Sequence, residues 1–309
     1  MPASSPSKSN RKFLWLAGGI VAVIGIYTAG WYYAANKLEQ TVMRVLTPND
    51  AKSVEGKCEN IDFRGYPFRL GMFCSKVSIA DNARGIRAEF GALRSTAAIH
   101  NPSHIVWELD SPARINNPAG LSVDANWSDL RASLGIKGRG VERSSTEITG
   151  LKASLNNDEI TVAADRTDIH LRQNGPDLDA AITLRDTTIN SPAIPVALPM
   201  FTGVADVTLV GKAGLVDGSD QAGLKGSQGE LRRLAADIGN GSTIIISGPF
   251  SINDAGLLSG KLKIDVENLD AWAENARQIA PELGSTIDTG RNMLKALSGG
   301  GNRASVDLT

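Results

Sequence analysis

Two cysteines, three histidines and one glycine-rich basic segment are the residues of this 309-residue chain whose types and spacing could do chemistry. Cys58 and Cys74 flank Gly65-Tyr66-Pro67, a strong turn signal, with Ile61, Asp62 and Phe63 before it and Phe68, Arg69 and Leu70 after it. A regular hairpin folded about Tyr66 brings Cys58 opposite Cys74, where a cross-strand disulfide fits. Reactive thiols or metal ligands are the alternatives. Neither has support, because there is no Cys-x-x-Cys spacing and no histidine nearby to complete a site. His100 and His104 are four residues apart, but Pro102 between them argues against one helical face, so they read as solvated loop residues rather than a zinc pair. His170, with Asp165 and Asp168 nearby, reads as one of several exposed polar positions on a strand. Gly135-Ile136-Lys137-Gly138-Arg139-Gly140 lacks the phosphate-loop spacing and reads as a turn. No Gly-x-Ser-x-Gly elbow is present, the acids carry no assignable acid or base role, and Arg232-Arg233 reads as a solvated face. The expectation is a protein that is not an enzyme, with no catalytic residue, metal or cofactor.

Composition narrows the partners. A net charge of −1 and a pI near 6.3 give no basic field, so a nucleic-acid partner has no electrostatic footprint. Six of the aromatic residues lie between Phe13 and Tyr33, four more (Phe63, Tyr66, Phe68, Phe73) flank or form the Gly-Tyr-Pro turn, and only six serve everything after Cys74. A stretch so short of large side chains suits a thin, extended sheet better than a thick multilayer core.

The elements that must position these residues begin with an anchor. Phe13 to Ala35 carries no charge, follows Lys8, Arg11 and Lys12, and closes on Trp31-Tyr32-Tyr33. A helix of that length reaches about 34 Å, enough to cross a hydrocarbon core of about 30 Å. Basic residues before it and aromatics after it place residues 1–12 in the cytoplasm and the bulk of the chain in the periplasm, with the span in the bacterial inner membrane. A cleaved signal peptide is the competing reading. The length of the run and its bulky end argue against that reading, and no cysteine follows for a lipoprotein. Residues 36–57 form a helical or extended linker, and 58–309 a β-rich extracytoplasmic domain.

Beyond Cys74 the hydrophobic period is mostly two. Leu121, Val123, Ala125 and Trp127 alternate with polar residues, as do Leu178, Ala180, Ile182 and Leu184, and Leu262, Ile264 and Val266. Turn signals recur at Asn116–Gly120, Asn156–Asp158, Gly175–Asp177, Asp217-Gly218, Gly239–Gly241 and Asn253–Gly256, so short connections and antiparallel meanders are expected. Pro192, Pro195 and Pro199 mark a loop or crossing. Leu269–Leu297 has helical spacing interrupted by Pro281, which predicts two short amphipathic helices. Ala304, Val306 and Leu308 begin a final strand whose return partner is absent, as a truncated product would show.

The segment Gly65-Tyr66-Pro67-Phe68-Arg69, behind an N-terminal anchor and within alternating strands, resembles the anchored bacterial envelope proteins grouped as domain of unknown function 2125. It is more weakly similar to AsmA-like proteins. That resemblance implies an extended sheet curling into an apolar groove associated with lipid handling, and it implies no catalytic residues. The expected fold is therefore mainly β: a transmembrane helix, then an extended, curled antiparallel β-sheet, either an open groove or a sandwich, with the two C-terminal helices. Val123, Ala125, Ile182, Leu184, Ile264 and Val266 are the candidate groove residues. The expected partners are the membrane and lipid. The alternative is a scaffold for other envelope proteins, its apolar face closed off internally.

Overall fold

The computed structural model describes residues 8–46, 54–118, 120–138, 140–156, 159–193, 198–220, 223–239 and 241–308. The turn residues Ala119, Asn157, Asp158 and Asn240, the segment 194–197 and Thr309 lie outside them, as does Arg139.

The chain starts as one continuous helix, α1 (Lys8–Leu46), in which Lys12–Met43 is long and apolar enough to cross a membrane. The helix continues past the expected span, through Asn36 to Leu46. All strands then join one large antiparallel sheet that is open. Its first five members are long strands, each broken into two: β1 (Val54–Glu59) with β2 (Asp62–Arg64), β3 (Arg69–Cys74) with β4 (Lys76–Asp81), β5 (Ile86–Phe90) with β6 (Leu93–Ala98), β7 (Asn101–Leu109) with β8 (Ala113–Asn116), and β9 (Ser122–Asn126) with β10 (Asp129–Lys137). Three unbroken long strands follow: β11 (Gly140–Leu155), β12 (Ile160–Asn174) and β13 (Asp177–Asn190). Each long strand pairs with the next in the chain, so the arrangement is a meander. Expectation and structure agree here, since short loops permit only antiparallel neighbours.

The breaks line up as a crease running across the strands. β10 pairs with the first half of β11 and β9 with its second half, so β11 carries two arms on one edge. At the crease Asn60 and Asp186 have φ of 50° and 47°, and Gly150 has φ 64°. Gly91 lies so close to the Asp110 carbonyl that a Cβ would sit 2.6 Å from its oxygen, which only glycine tolerates. The Trp127 indole donates to Leu109 O at 2.7 Å, and Ser128 Oγ to Thr149 O at 2.8 Å, tying adjacent strands across the break. The apolar phase also slips by one residue here: on β12 it runs Ile160, Val162, Ala164 and then Thr167, Ile169, Leu171. A kink or bulge of this kind bends a strand and re-aims the side chains beyond it.

The sheet continues through β14 (Phe201–Leu209), β15 (Gln228–Asp237), β16 (Thr243–Ile252), β17 (Leu258–Gly260), β18 (Leu262–Glu267) and β19 (Arg303–Leu308). Between β18 and β19 lie α2 (Leu269–Ile279) and α3 (Gly284–Leu297), separated at Pro281 as the sequence predicts. Asn268 caps α2 by accepting from Ala271 N, and Leu269 and Ala273 are fully buried beneath it. Few other side chains are buried completely. Most buried apolar positions in the sheet are alanines such as Ala88, Ala113, Ala132 and Ala164, in keeping with the described strands forming one sheet without a second sheet packed on it among the described residues.

Candidate functional site: a docked hairpin and an open apolar face

The turn between β2 and β3 does not project freely. It packs against the C-terminal half of α1, on the helical face formed by Tyr27, Thr28, Trp31 and Ala35. The Trp31 indole donates to Arg69 O at 2.9 Å, the Tyr27 hydroxyl donates to Pro67 O, and Thr28 Oγ1 lies 2.7 Å from the Tyr66 hydroxyl. Trp31 meets Tyr66 edge-on, ring centroids 5.6 Å apart, and is only 6% exposed. Gly65 makes the turn: its φ is 127°, a Cβ would sit 2.7 Å from Arg69 O, and its own carbonyl accepts from Arg69 N. Sequence reasoning found the motif but not its receptor. The signal was there, because positions 27, 28, 31 and 35 share one helical face.

Cys58 and Cys74 form the disulfide, with Cα atoms 5.3 Å apart. The regular hairpin about Tyr66 is corrected, however. The ladder pairs Phe63 with Met72 and Cys58 with Val77, while Cys74 pairs with Leu93 on the other side. The cysteines are thus out of ladder register. They meet because both strands kink between them, at Asn60 and Ser75, where Asn60 Nδ2 donates to Ser75 Oγ at 2.9 Å and Ser75 N to Glu59 O.

The candidate groove residues fall on ladder rows, where cross-strand partners share a face. One row runs Ile169, Ile182, Ala205, Leu234, Ile246, Ile264, Val306. The adjacent row runs Thr167, Leu184, Gly203, Ala236, Ile244, Val266, Ala304. Ile182, Leu184, Ile264 and Val266 are therefore brought together on one face. Leu234 and Val306 stay 41% and 37% exposed on it, although apolar neighbours flank them. Val123 and Ala125 lie across the crease in the other arm, in rows with Ile115 and Leu155 and with Ala113 and Ala153.

The opposite face is charged. Arg94 bonds both Glu108 and Asp110, Arg166 bonds Glu147 and Asp168, and Asp179 accepts from Arg172 at 2.7 Å, Thr208 at 2.8 Å and Arg232 at 2.9 Å. The hydrogen bonds from Arg172 and Arg232 hold the Asp179 carboxyl well below the usual carboxylate range, and Asp206 and Asp179 raise the Arg232 guanidinium. One reading is corrected by this lattice: Asp168 is buried against Arg166, whereas Arg232 is ion-paired but, like Arg233, exposed as the sequence predicts. A concavity of about 630 Å³ lies on this charged face, with Arg69, Arg94, Arg131 and His170 among its walls. His170 Nδ1 is 3.0 Å from Ser145 Oγ. His104 belongs to strand β7 instead of a loop, and Gly135 to Lys137 continue β10, so the glycine-rich turn begins at Gly138. Among the described residues no group of histidines, cysteines and acids could hold a metal ion.

A candidate membrane helix fastened through an aromatic hairpin to an open antiparallel sheet defines the class: proteins that join an N-terminal apolar helix to one large open β-sheet. Within it, the chain belongs to the family described as "Uncharacterized protein conserved in bacteria (DUF2125)", whose profile matches residues 31–309. No curated protein and no solved structure matches the chain.

Proposed function

We propose that the chain is a single-pass inner-membrane protein whose periplasmic sheet binds or shields lipid, or another hydrophobic component of the envelope, and catalyses no reaction. The observation that carries this reading is the pair of apolar ladder rows on a sheet that does not close. Water-exposed Leu234 and Val306 lie amid isoleucines, an arrangement that gains about 25 cal/mol for each Å² a ligand covers. The helix supplies the second support, since it keeps that face beside a source of acyl chains.

The test is native mass spectrometry and lipid extraction of the protein purified in detergent. The wild type should carry lipid, and Val123→Asp and Ile264→Asp should lose it while remaining folded. Protein without lipid, together with unfolding of both variants, would replace the reading with an ordinary covered core. Orientation is read by alkaline phosphatase fused after Thr309 or after Asn10, with activity expected only after Thr309.

A scaffold that contacts other envelope proteins is the second reading. The exposed apolar positions Leu283, Met293 and Leu297 at the C-terminal helices favour it.

A further inference from the structure

We infer that the Gly65–Arg69 hairpin tip is a membrane wedge, seated in the outer leaflet beside α1 with Phe68 and Ile99 in contact with lipid. The inference rests on the anchor reading of α1 and adds to it a second, β-structured point of entry.

Depth along the helix is the first argument. The uncharged stretch runs between Lys12 and Lys37. Centring about 30 Å of hydrocarbon on it puts the outer boundary near Ala34 or Ala35, so the Tyr27 backbone lies about 10 Å inside. Helical side chains lean toward the N-terminus, which takes the Tyr27 hydroxyl no shallower than its backbone. That hydroxyl binds the Pro67 carbonyl, and Thr28 touches Tyr66. The tip therefore cannot sit above the bilayer while α1 spans it.

The chemistry of the tip points the same way. Irregular backbone survives in hydrocarbon only when its polar groups are satisfied. Here four carbonyls of the tip are satisfied: the Gly65 carbonyl accepts from Arg69 N, Pro67 O from Tyr27, Phe68 O from Ile99 N, and Arg69 O from Trp31, which leaves the N–H groups of Tyr66 and Phe68 to the headgroup side of the wedge. Proline at position 67 has no N–H to satisfy. Phe68 is 74% exposed, the wrong place for a phenyl ring in water and the right one in lipid. Ile99, whose N–H binds Phe68 O, is likewise exposed. Arg69 lies at the upper end of the tip, on the wall of the charged concavity, where a guanidinium can snorkel to lipid phosphates.

The experiment uses the full-length protein in phosphatidylethanolamine and phosphatidylglycerol vesicles, with an NBD fluorophore on a single added cysteine and the native disulfide left oxidised. Label sites are Phe68→Cys, Ile99→Cys, Val21→Cys within α1, and Ile160→Cys at the far end of β12. NBD at positions 68, 99 and 21 should emit blue-shifted in the apolar surroundings and be quenched by lipids carrying a nitroxide on the acyl chain, while NBD at 160 shows neither change. Quenching at 21 without quenching at 68 and 99 overturns the wedge and leaves the anchor standing. Absence of quenching at all four removes the anchor and the wedge together. Equal quenching at 160 and 68 also overturns it, because the whole domain would then lie on the bilayer. Each labelled position is solvent-exposed in the fold, so the substitutions remove little packing.

Discussion

Leu234→Asp separates an open apolar face from a covered one. Leu234 sits in the row between Ala205 and Ile246 and is 41% exposed, so about three-fifths of its surface is already out of water. Full burial of leucine is worth about 1.5–3 kcal/mol, which makes the part lost on substitution about 1–2 kcal/mol. For a domain of this size that corresponds to a fall in Tm of about 2–8 °C. The aspartate can reach water, so the large penalty for burying an unpaired charge does not arise. Covering the remaining two-fifths with an acyl chain would contribute about 1 kcal/mol at this position alone, and a charge there forfeits that. The expected result is a folded, modestly destabilised protein that no longer copurifies with lipid. Scanning fluorimetry and lipid phosphorus measured on the same preparation read both quantities. A loss above about 4 kcal/mol, or outright unfolding, would mean that another layer covers the face. Undiminished lipid in a folded variant would mean that any ligand binds elsewhere.

Cys58→Ser should cost about 2–4 kcal/mol, measured by denaturant unfolding with and without reductant; a variant as stable as the oxidised wild type would refute a structural role for the bond. Asp179→Asn should cost about 1–2 kcal/mol, moderated by the exposure of Arg172. Because the folded Asp179 pKa is depressed, its contribution is present above the ordinary carboxylate value of about 3.9 and drains as pH falls below it. The variant's stability should therefore fall less steeply on acidification than the wild type's, and equal slopes would contradict the assignment. Gly65→Ala should destabilise more than Gly175→Ala, because both have positive φ but only Gly65 has a backbone oxygen in the way of a Cβ. Equal losses in thermal unfolding would show that the turn at Arg69 is dispensable.

Much of this protein is written in local pattern, and the reason is that helix length, strand alternation and turn chemistry act over a few residues. The uncharged run, the alternating strands and the two helices around Pro281 needed nothing more distant than their neighbours, whereas Cys58 meets Cys74 through kinks at Asn60 and Ser75 that local pattern did not show. Alternation also located Ile182, Leu184, Ile264 and Val266 as inward-phased residues, since period two assigns a face. It could not say which strands lie side by side, and so could not place them on two shared rows. The crease is a tertiary decision: Asn60, Gly150 and Asp186 read as ordinary polar or turn residues until eight long strands line them up. The same holds for Asp179, whose partners come from β12, β14 and β15, and for the seat of the Gly-Tyr-Pro turn on Trp31. Contacts between residues far apart in the chain depend on how the sheet bends and where the helix stands, and no local preference encodes those two geometries.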